Sequence, residues 1–175
     1  MRKAALTHRL EDFENTARDV ITSRGARVVR TIGDAVMDIS DDLLIAADVV
    51  TALVEELQKG PDAIRVRASL VEGRVISRSG DVFGPTVNLA SRLVDAAEPG
   101  GIRLDESTAI AILRPPAAAR YRVGQCHEVV AKGLGQTVPC SLERDPPPRP
   151  SVGAVVSFPT RDFLSDRPAN DPLSH

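Results

Sequence analysis

The sequence predicts an α+β fold, arranged as a two-layer domain in which helices cover one face of a sheet. Apolar residues recur every three or four positions between residues 6 and 21, which is the period of a helix. Residues 64–71 instead alternate apolar and polar side chains, as a strand with one solvent-exposed face does. The predicted order along the chain is helix, strand, strand, helix, strand, helix, strand, and elements in that order pack as a sheet against helices.

The first predicted helix ends near Ser23-Arg24-Gly25, and a hairpin follows it. Residues 27–32 and 35–39 have strand composition, and the turn dipeptide Gly33-Asp34 joins them, so Asp34 is expected at the hairpin tip. Asp38 occupies a position of the second strand where an apolar residue is expected. An edge or solvent-facing position is the expectation for its carboxylate.

A second helix is predicted after Ser40-Asp41-Asp42, because short polar side chains accept hydrogen bonds from the first backbone N–H groups of a helix. Its apolar face runs from Leu44 to Leu57, and Lys59-Gly60-Pro61 ends it. The alternating strand 64–71 comes next, with residues 73–79 extending it into a short hairpin arm.

Residues 80–92 combine a glycine-rich bend with the start of a helix predicted over 87–98. Asn88, Arg92 and Asp95 are one turn apart on a polar face of that helix. Taken alone, this face is typical of an ordinary solvated helix surface. Beyond it, short elements are predicted: a strand over 102–104, a brief helix capped by Asp105-Glu106-Ser107 and ending at about Leu113, and strands over 121–123, 128–131 and 137–142.

Composition limits the classes of function. The 175 residues carry a formal charge of −2, which gives no electrostatic footprint for nucleic acid. No apolar run has the length of a membrane span, and no signal peptide is apparent, so a cytoplasmic protein is the expectation. Two cysteines, Cys126 and Cys140, are too few for a disulfide framework. Residues 1–143 are predicted to form the domain, and the proline-rich residues 144–175 a disordered tail.

Three segments together resemble the class III adenylate/guanylate cyclase catalytic domain. They are residues 28–37, residues 80–92 and Ala131-Lys132-Gly133, and their order and spacing both fit over residues 7–143. The resemblance implies a ferredoxin-like βαββαβ sheet that dimerises head to tail, as a homodimer or with another cyclase domain. It also implies attack of a ribose 3′-hydroxyl on the α-phosphate of ATP or GTP, giving a cyclic nucleotide and pyrophosphate.

The resemblance assigns Asn88 to orienting the ribose, Arg92 to stabilising the transition state and Asp34 to binding Mg²⁺ or Mn²⁺. The chemistry agrees with these roles, because negative charge developing on phosphoryl oxygens calls for a fixed cation. A hard divalent ion calls for carboxylate oxygens. The alternatives are a plain turn aspartate, a solvent-exposed amide, and a surface ion pair between Arg92 and Asp95.

Three further residues match substrate-binding positions of the family. Asp81 matches the acceptor for the adenine amino group, and a carboxylate there would repel the guanine carbonyl. Arg30 replaces the base-contacting lysine with a longer, planar donor. Lys132 matches the lysine that holds the terminal phosphates. For Arg30 and Lys132, a solvent-facing strand residue and an exposed turn lysine are the alternatives.

The family's first strand and its first metal-binding aspartate have no match ahead of the first helix. Asp12 and Asp19 lie within the helical pattern and do not replace that aspartate. We therefore expect unpaired strand edges, exposed apolar surface and impaired turnover by this chain alone. A lyase of the adenylate cyclase type is expected once the strand is restored. A non-catalytic cyclase-homology module that dimerises or regulates is the alternative.

Overall fold

The computed structural model describes residues 2–61, 63–126, 129–131 and 135–145. They belong to a compact unit that spans Met1–Asp145. Its helices are α1 (Arg2–Ser23), α2 (Leu43–Leu57), α3 (Pro85–Asp95) and α4 (Glu106–Ile112), followed by a single 3₁₀ turn at Ala117–Ala119.

Ten short strands occur in the described part of the chain. They are β1 (Arg27–Ile32), β2 (Ala35–Ile39), β3 (Ala68–Leu70), β4 (Ile76–Arg78), β5 (Asp81–Phe83), β6 (Ile102–Leu104), β7 (Tyr121–Cys126), β8 (Val129–Ala131), β9 (Gly135–Thr137) and β10 (Cys140–Arg144). The main sheet has the order β3-β6-β10-β7, and β1-β2, β4-β5 and β8-β9 form separate hairpins. The predicted α+β class is confirmed.

The main core lies where α2 and α4 pack against the four-stranded sheet. Alternate strand residues point into it, because successive side chains of a strand face opposite ways. Its buried members include Leu70, Leu104, Ile112, Tyr121 and Leu142. Both helices have their predicted N-caps. The Asp42 side chain accepts hydrogen bonds from two backbone N–H groups in the first turn of α2, and the Asp105 side chain accepts one from a backbone N–H group in the first turn of α4.

The hairpin of β1 and β2 is attached to the domain by packing and not by a sheet ladder. Val28 and Val36 contact a second apolar cluster of Ala17, Ile21 and Val49 between α1 and α2. Among the described residues, β2 pairs with β1 only and β3 pairs with β6 only. Both strands therefore have an edge without a strand partner there, and Ile32 at the end of β1 is 57% exposed. Unpaired strand edges and exposed apolar surface were both expected, and both occur in this part of the chain.

Three predicted element boundaries were wrong. The strand predicted over 64–71 is reduced to β3. The backbone before β3 forms hydrogen bonds with Leu57 and Gly100 and not with a neighbouring strand of the described residues. The helix 87–98 begins at Pro85, whose fixed φ suits the first helical position, and it ends at Asp95. The strand 137–142 divides around Pro139, which cannot donate a ladder hydrogen bond. Glu128, predicted to start a strand, lies outside the described residues.

Asp38 lies on a strand with an edge that has no partner among the described residues, one of the two expected positions, but its side chain does not face solvent. It shares the helix-facing side of β2 with Val36, and its cross-strand partner is Val28. The carboxyl is therefore half-buried beneath the helices, and this desolvation raises its pKa from 3.8 to about 6. The carboxylate is expected to destabilise the fold at neutral pH.

Replacing Asp38 by asparagine is expected to raise the free energy of unfolding by about 1–2 kcal/mol at pH 7.5, because the amide carries no charge to desolvate. The folded-state pKa lies above the unfolded value, so the penalty is absent below pH 3.8 and grows until about pH 6. Urea unfolding of both proteins between pH 4 and 7.5 measures it. Asp41→Asn, at an exposed position, is the control. Equal stability at all pH values would contradict the assignment.

The two cysteines are paired, which the sequence analysis did not anticipate. Cys126 and Cys140 form a disulfide between β7 and β10, where the two residues are cross-strand partners. Sequence alone gave no register for these strands, and register is what brings the sulfur atoms together. None of the helices in the described part of the chain is long and apolar enough to span a bilayer.

Candidate functional site

Arg30 and Asp81 form a two-pronged ion pair between two of the segments singled out in the sequence. The Arg30 Nε donates to Asp81 Oδ1 at 3.2 Å, and the second guanidinium nitrogen donates to Oδ2. Their side chains are 39% and 28% exposed, so the pair is partly desolvated yet open on one side. The fork geometry is one that arginine makes and lysine does not. The pair therefore presents a carboxylate acceptor, from Asp81, beside a guanidinium donor, from Arg30.

The local fold places Asp81 at the start of β5, directly after the turn of the β4-β5 hairpin. Val82 beside it is 2% exposed and anchors the strand. The Val82 N–H also donates to Asp81 Oδ1 at 2.9 Å, which fixes the carboxylate orientation. The Asp81 carboxylate is thus oriented from both sides before any ligand arrives.

Asp34 lies at the exposed tip of the β1-β2 hairpin, as predicted. Gly33 before it has φ of +59°, a conformation that side-chain-bearing residues rarely adopt, so the tight turn depends on this glycine. No group of three or more histidine, cysteine, aspartate or glutamate side chains able to hold a metal occurs among the described residues. One carboxylate does not fit a two-ion site, so Asp34 offers a single ligand.

The bend at Gly84 starts α3 and sets the direction of its polar face. Gly84 has φ of +134°, and its carbonyl accepts from the N–H of Asn88 at 3.2 Å. Thr86 Oγ1 donates to the carbonyl of Arg74 at 2.7 Å, which ties the first turn to the neighbouring loop. On the buried side Leu93 is 1% exposed. Those contacts set the orientation of α3 about its own axis.

Asn88 and Arg92 therefore project from α3 one turn apart, with Asn88 exposed and Arg92 half-buried. Asn88 follows Asp81 closely in the chain, because only Gly84 separates the end of β5 from the start of α3. Ser69 of β3 also supports this helix, since its hydroxyl donates to the carbonyl of Ala90 at 2.9 Å. The amide, the guanidinium and the β5 carboxylate therefore belong to one continuous strand-and-helix segment.

The structure thus brings Arg30 and Asp81 into contact and joins them through β5 to Asn88 and Arg92. Asp34 is on the same hairpin as Arg30 but at its tip, four residues along. Lys132 lies outside the described residues. Sequence reasoning missed the direct pairing of Arg30 with Asp81. Their opposite charges, at two positions that the resemblance assigns to base contacts, were a usable signal.

Comparison with known proteins gives a family match over nearly the whole described domain. The family "Adenylate and Guanylate cyclase catalytic domain" matches residues 3–142. An adenylate cyclase of Glutamicibacter nicotianae is 33% identical over 142 residues, covering 81% of this chain and 34% of that protein. An adenylate cyclase of Streptomyces coelicolor is 38% identical over 114 residues, 65% of this chain and 30% of its own. The chain spans about a third of the length of these curated relatives.

The fold agrees with that match. The crystal structure of an adenylate/guanylate cyclase/hydrolase from Silicibacter pomeroyi superposes with a TM-score of 0.66 and 19% sequence identity, covering 83% of this chain and 88% of the other. At this low sequence identity, the superposition is evidence for a shared fold and for nothing more. Because the family match covers most of the chain, the protein belongs to the adenylate and guanylate cyclase catalytic domain family.

Proposed function

We propose that this chain is a nucleotide cyclase domain that supplies the base-reading and phosphate-facing half of a shared catalytic site. The observation that supports it most is the oriented pair of Arg30 and Asp81, joined through β5 to Asn88 and Arg92. ATP is the proposed substrate, with GTP less favoured, and the products are the 3′,5′-cyclic nucleotide and pyrophosphate.

The base preference follows from hydrogen-bond polarity. The amino group of adenine donates a hydrogen bond and its ring nitrogen N1 accepts one, so it complements the Asp81 carboxylate beside the Arg30 guanidinium. Guanine presents a carbonyl where adenine has the amino group, and a carboxylate repels it. A pair already oriented by backbone contacts does not have to be ordered when the base binds, which lowers the cost of binding.

The reacting end of the nucleotide belongs to α3. The Asn88 amide is suited to hydrogen bonding with the ribose, which holds the 3′-hydroxyl toward the α-phosphate. The Arg92 guanidinium is suited to the charge that grows on the phosphoryl oxygens as the new bond forms and pyrophosphate leaves. Both groups act by position and charge, and neither forms a covalent bond to the substrate.

The other half of the site is proposed to come from a second cyclase domain, in a homodimer or a heterodimer. Asp34 provides one carboxylate toward Mg²⁺ or Mn²⁺, and the described residues hold no cluster that completes a metal site. For this reason the chain by itself is expected to turn over slowly. The same observation favours a second candidate, a non-catalytic cyclase-homology module that dimerises with or regulates a partner cyclase.

A mixed assembly separates the two candidates. This chain is combined with a complete class III homologue whose own transition-state arginine has been replaced by alanine, so any active site must use Asn88 and Arg92 of this chain. Restored cyclic AMP formation supports the catalytic proposal. Co-elution of the two proteins with no restored activity, while an intact homologue does restore it, supports the silent module.

Replacing Asp81 by asparagine is expected to reduce the preference for ATP over GTP in that assembly by roughly tenfold, because the amide can donate to the guanine carbonyl. Measuring kcat/KM for both nucleotides gives the ratio. Asp95→Asn is the matched control, since it removes an exposed carboxylate from the same region without touching Arg30. An unchanged ratio in Asp81→Asn would show that this pair does not read the base.

A further inference from the structure

The Cys126–Cys140 disulfide joins the edge strand of the main sheet to its neighbour. β7 is the outermost strand next to β10, and the Cα atoms of the two cysteines are 4.0 Å apart. The β8-β9 hairpin lies between the two cysteines in sequence and forms a two-stranded sheet of its own. The disulfide therefore joins the two strands, β7 and β10, that precede and follow this hairpin in sequence. We call this connection the base of the hairpin.

The two sulfur atoms lie in unlike surroundings. Cys140 is 3% exposed, is the cross-strand partner of Leu104 and belongs to the main core. Cys126, at the end of β7, is exposed. A soluble thiol can thus reach the sulfur of Cys126, and the sulfur of Cys140 is the buried leaving group.

The ladder between β7 and β10 is interrupted just before it reaches the cysteines. The pairs from Tyr121 to Val123 are in continuous register, but the register shifts between Leu142 and Cys140. Among the described residues, Cys126 and Cys140 are the one pair in this ladder beyond that irregularity. Once the disulfide is broken, only this isolated pair of the described ladder holds the end of β7 to β10.

We propose that Cys126 and Cys140 form a thiol–disulfide switch that fixes the base of the β8-β9 hairpin to the sheet. Reduction requires a dithiol. One of its thiolates attacks Cys126 Sγ, which breaks the disulfide and releases the Cys140 thiolate. The second thiolate attacks the mixed disulfide and releases Cys126. Two electrons and two protons pass to the protein, and the dithiol becomes a disulfide. A disulfide with one exposed cysteine, as here, is more readily reduced than one that is fully buried.

An effect on turnover rests on the proposed function. Lys132, which resembles the lysine that holds the terminal phosphates, belongs to the chain between the two cysteines. The disulfide holds the two ends of that segment, Cys126 and Cys140, side by side on the sheet before substrate binds. We therefore expect the oxidised protein to turn over faster than the reduced protein in the mixed assembly.

Hydrogen exchange of the purified chain, oxidised or treated with dithiothreitol, tests the switch directly. Peptides from β7 and β8-β9 are expected to exchange roughly tenfold faster after reduction, while peptides from β6 do not change. Alkylation with iodoacetamide and intact mass should add no label before reduction and one label per cysteine afterwards. Cys126→Ser should exchange like the reduced protein, and Gln125→Ser, at the exposed neighbouring position, should keep the wild-type difference.

The outcomes are separable. Labelling of both cysteines before reduction, or equal exchange in the two states, overturns the switch. If exchange differs but turnover in the mixed assembly is detectable and equal in both states, the switch has no effect on the site and that part is overturned. If no turnover occurs in either state, the proposed function fails, and the exchange result still decides the switch.

Discussion

Replacing Arg92 by alanine is expected to lower cyclic AMP formation in the mixed assembly by about 100- to 1,000-fold. The guanidinium is proposed to meet charge that develops only as the 3′-oxygen attacks the α-phosphate. Losing it should therefore reduce kcat far more than it raises KM. Steady-state kinetics over a range of ATP concentrations provides both values.

Two controls make the Arg92 result specific. Arg92 is half-buried on α3, so a thermal unfolding curve must show that the variant still folds. Asp95→Ala changes the last residue of the same helix, about one turn after Arg92, and should retain wild-type turnover. Arg92→Lys keeps the charge without the planar fork and should lie between the two. Full activity in a folded Arg92→Ala protein would remove Arg92 from the proposed mechanism.

Replacing Asp48 by alanine is expected to lower the free energy of unfolding by about 2–4 kcal/mol. Asp48 of α2 accepts from Tyr121 Oη at 2.5 Å and from Arg120 at 2.8 Å, and Arg144 lies 3.4 Å away. Tyr121 is 1% exposed, and burial together with the Asp48 hydrogen bond raises the pKa of its hydroxyl to about 12. The substitution removes the acceptor that these donors share.

Urea unfolding at pH 7.5 measures this loss. Asp48→Asn keeps an acceptor and removes the charge, so it should cost less than Asp48→Ala. Glu55→Ala removes the exposed partner of Arg144 and should cost well under 1 kcal/mol, as exposed ion pairs do. Equal losses for Asp48→Ala and Glu55→Ala would show that Asp48 is not the centre of the network.

Local features of the fold could be predicted because short-range rules decide them. Asp42 and Asp105 cap helices in the structure as their positions before apolar runs indicated, and Gly33-Asp34 forms the turn of a hairpin. Pro139 shows the opposite case, since its effect on an otherwise apolar strand was overlooked. Boundaries of this kind depend on one missing donor and not on a pattern.

The candidate site divides in the same way. Asn88 and Arg92 could be placed together from their spacing, because one helical turn separates them whatever the rest of the chain does. The contact between Arg30 and Asp81 joins residues far apart in sequence and needed the packing of β1 beside β5. The solvent-facing alternative for Asp38 was wrong for the same reason, since strand alternation does not say which face the helices will cover.

Residue types and short spacings were enough to predict the class of fold, the family resemblance and the residues that could carry the chemistry. The pairing of Arg30 with Asp81, the Cys126–Cys140 disulfide and the half-buried position of Asp38 became known from the folded arrangement alone. Strand register and layer packing set those contacts. Both arise from burial of apolar surface over the whole domain, which no single stretch of residues specifies.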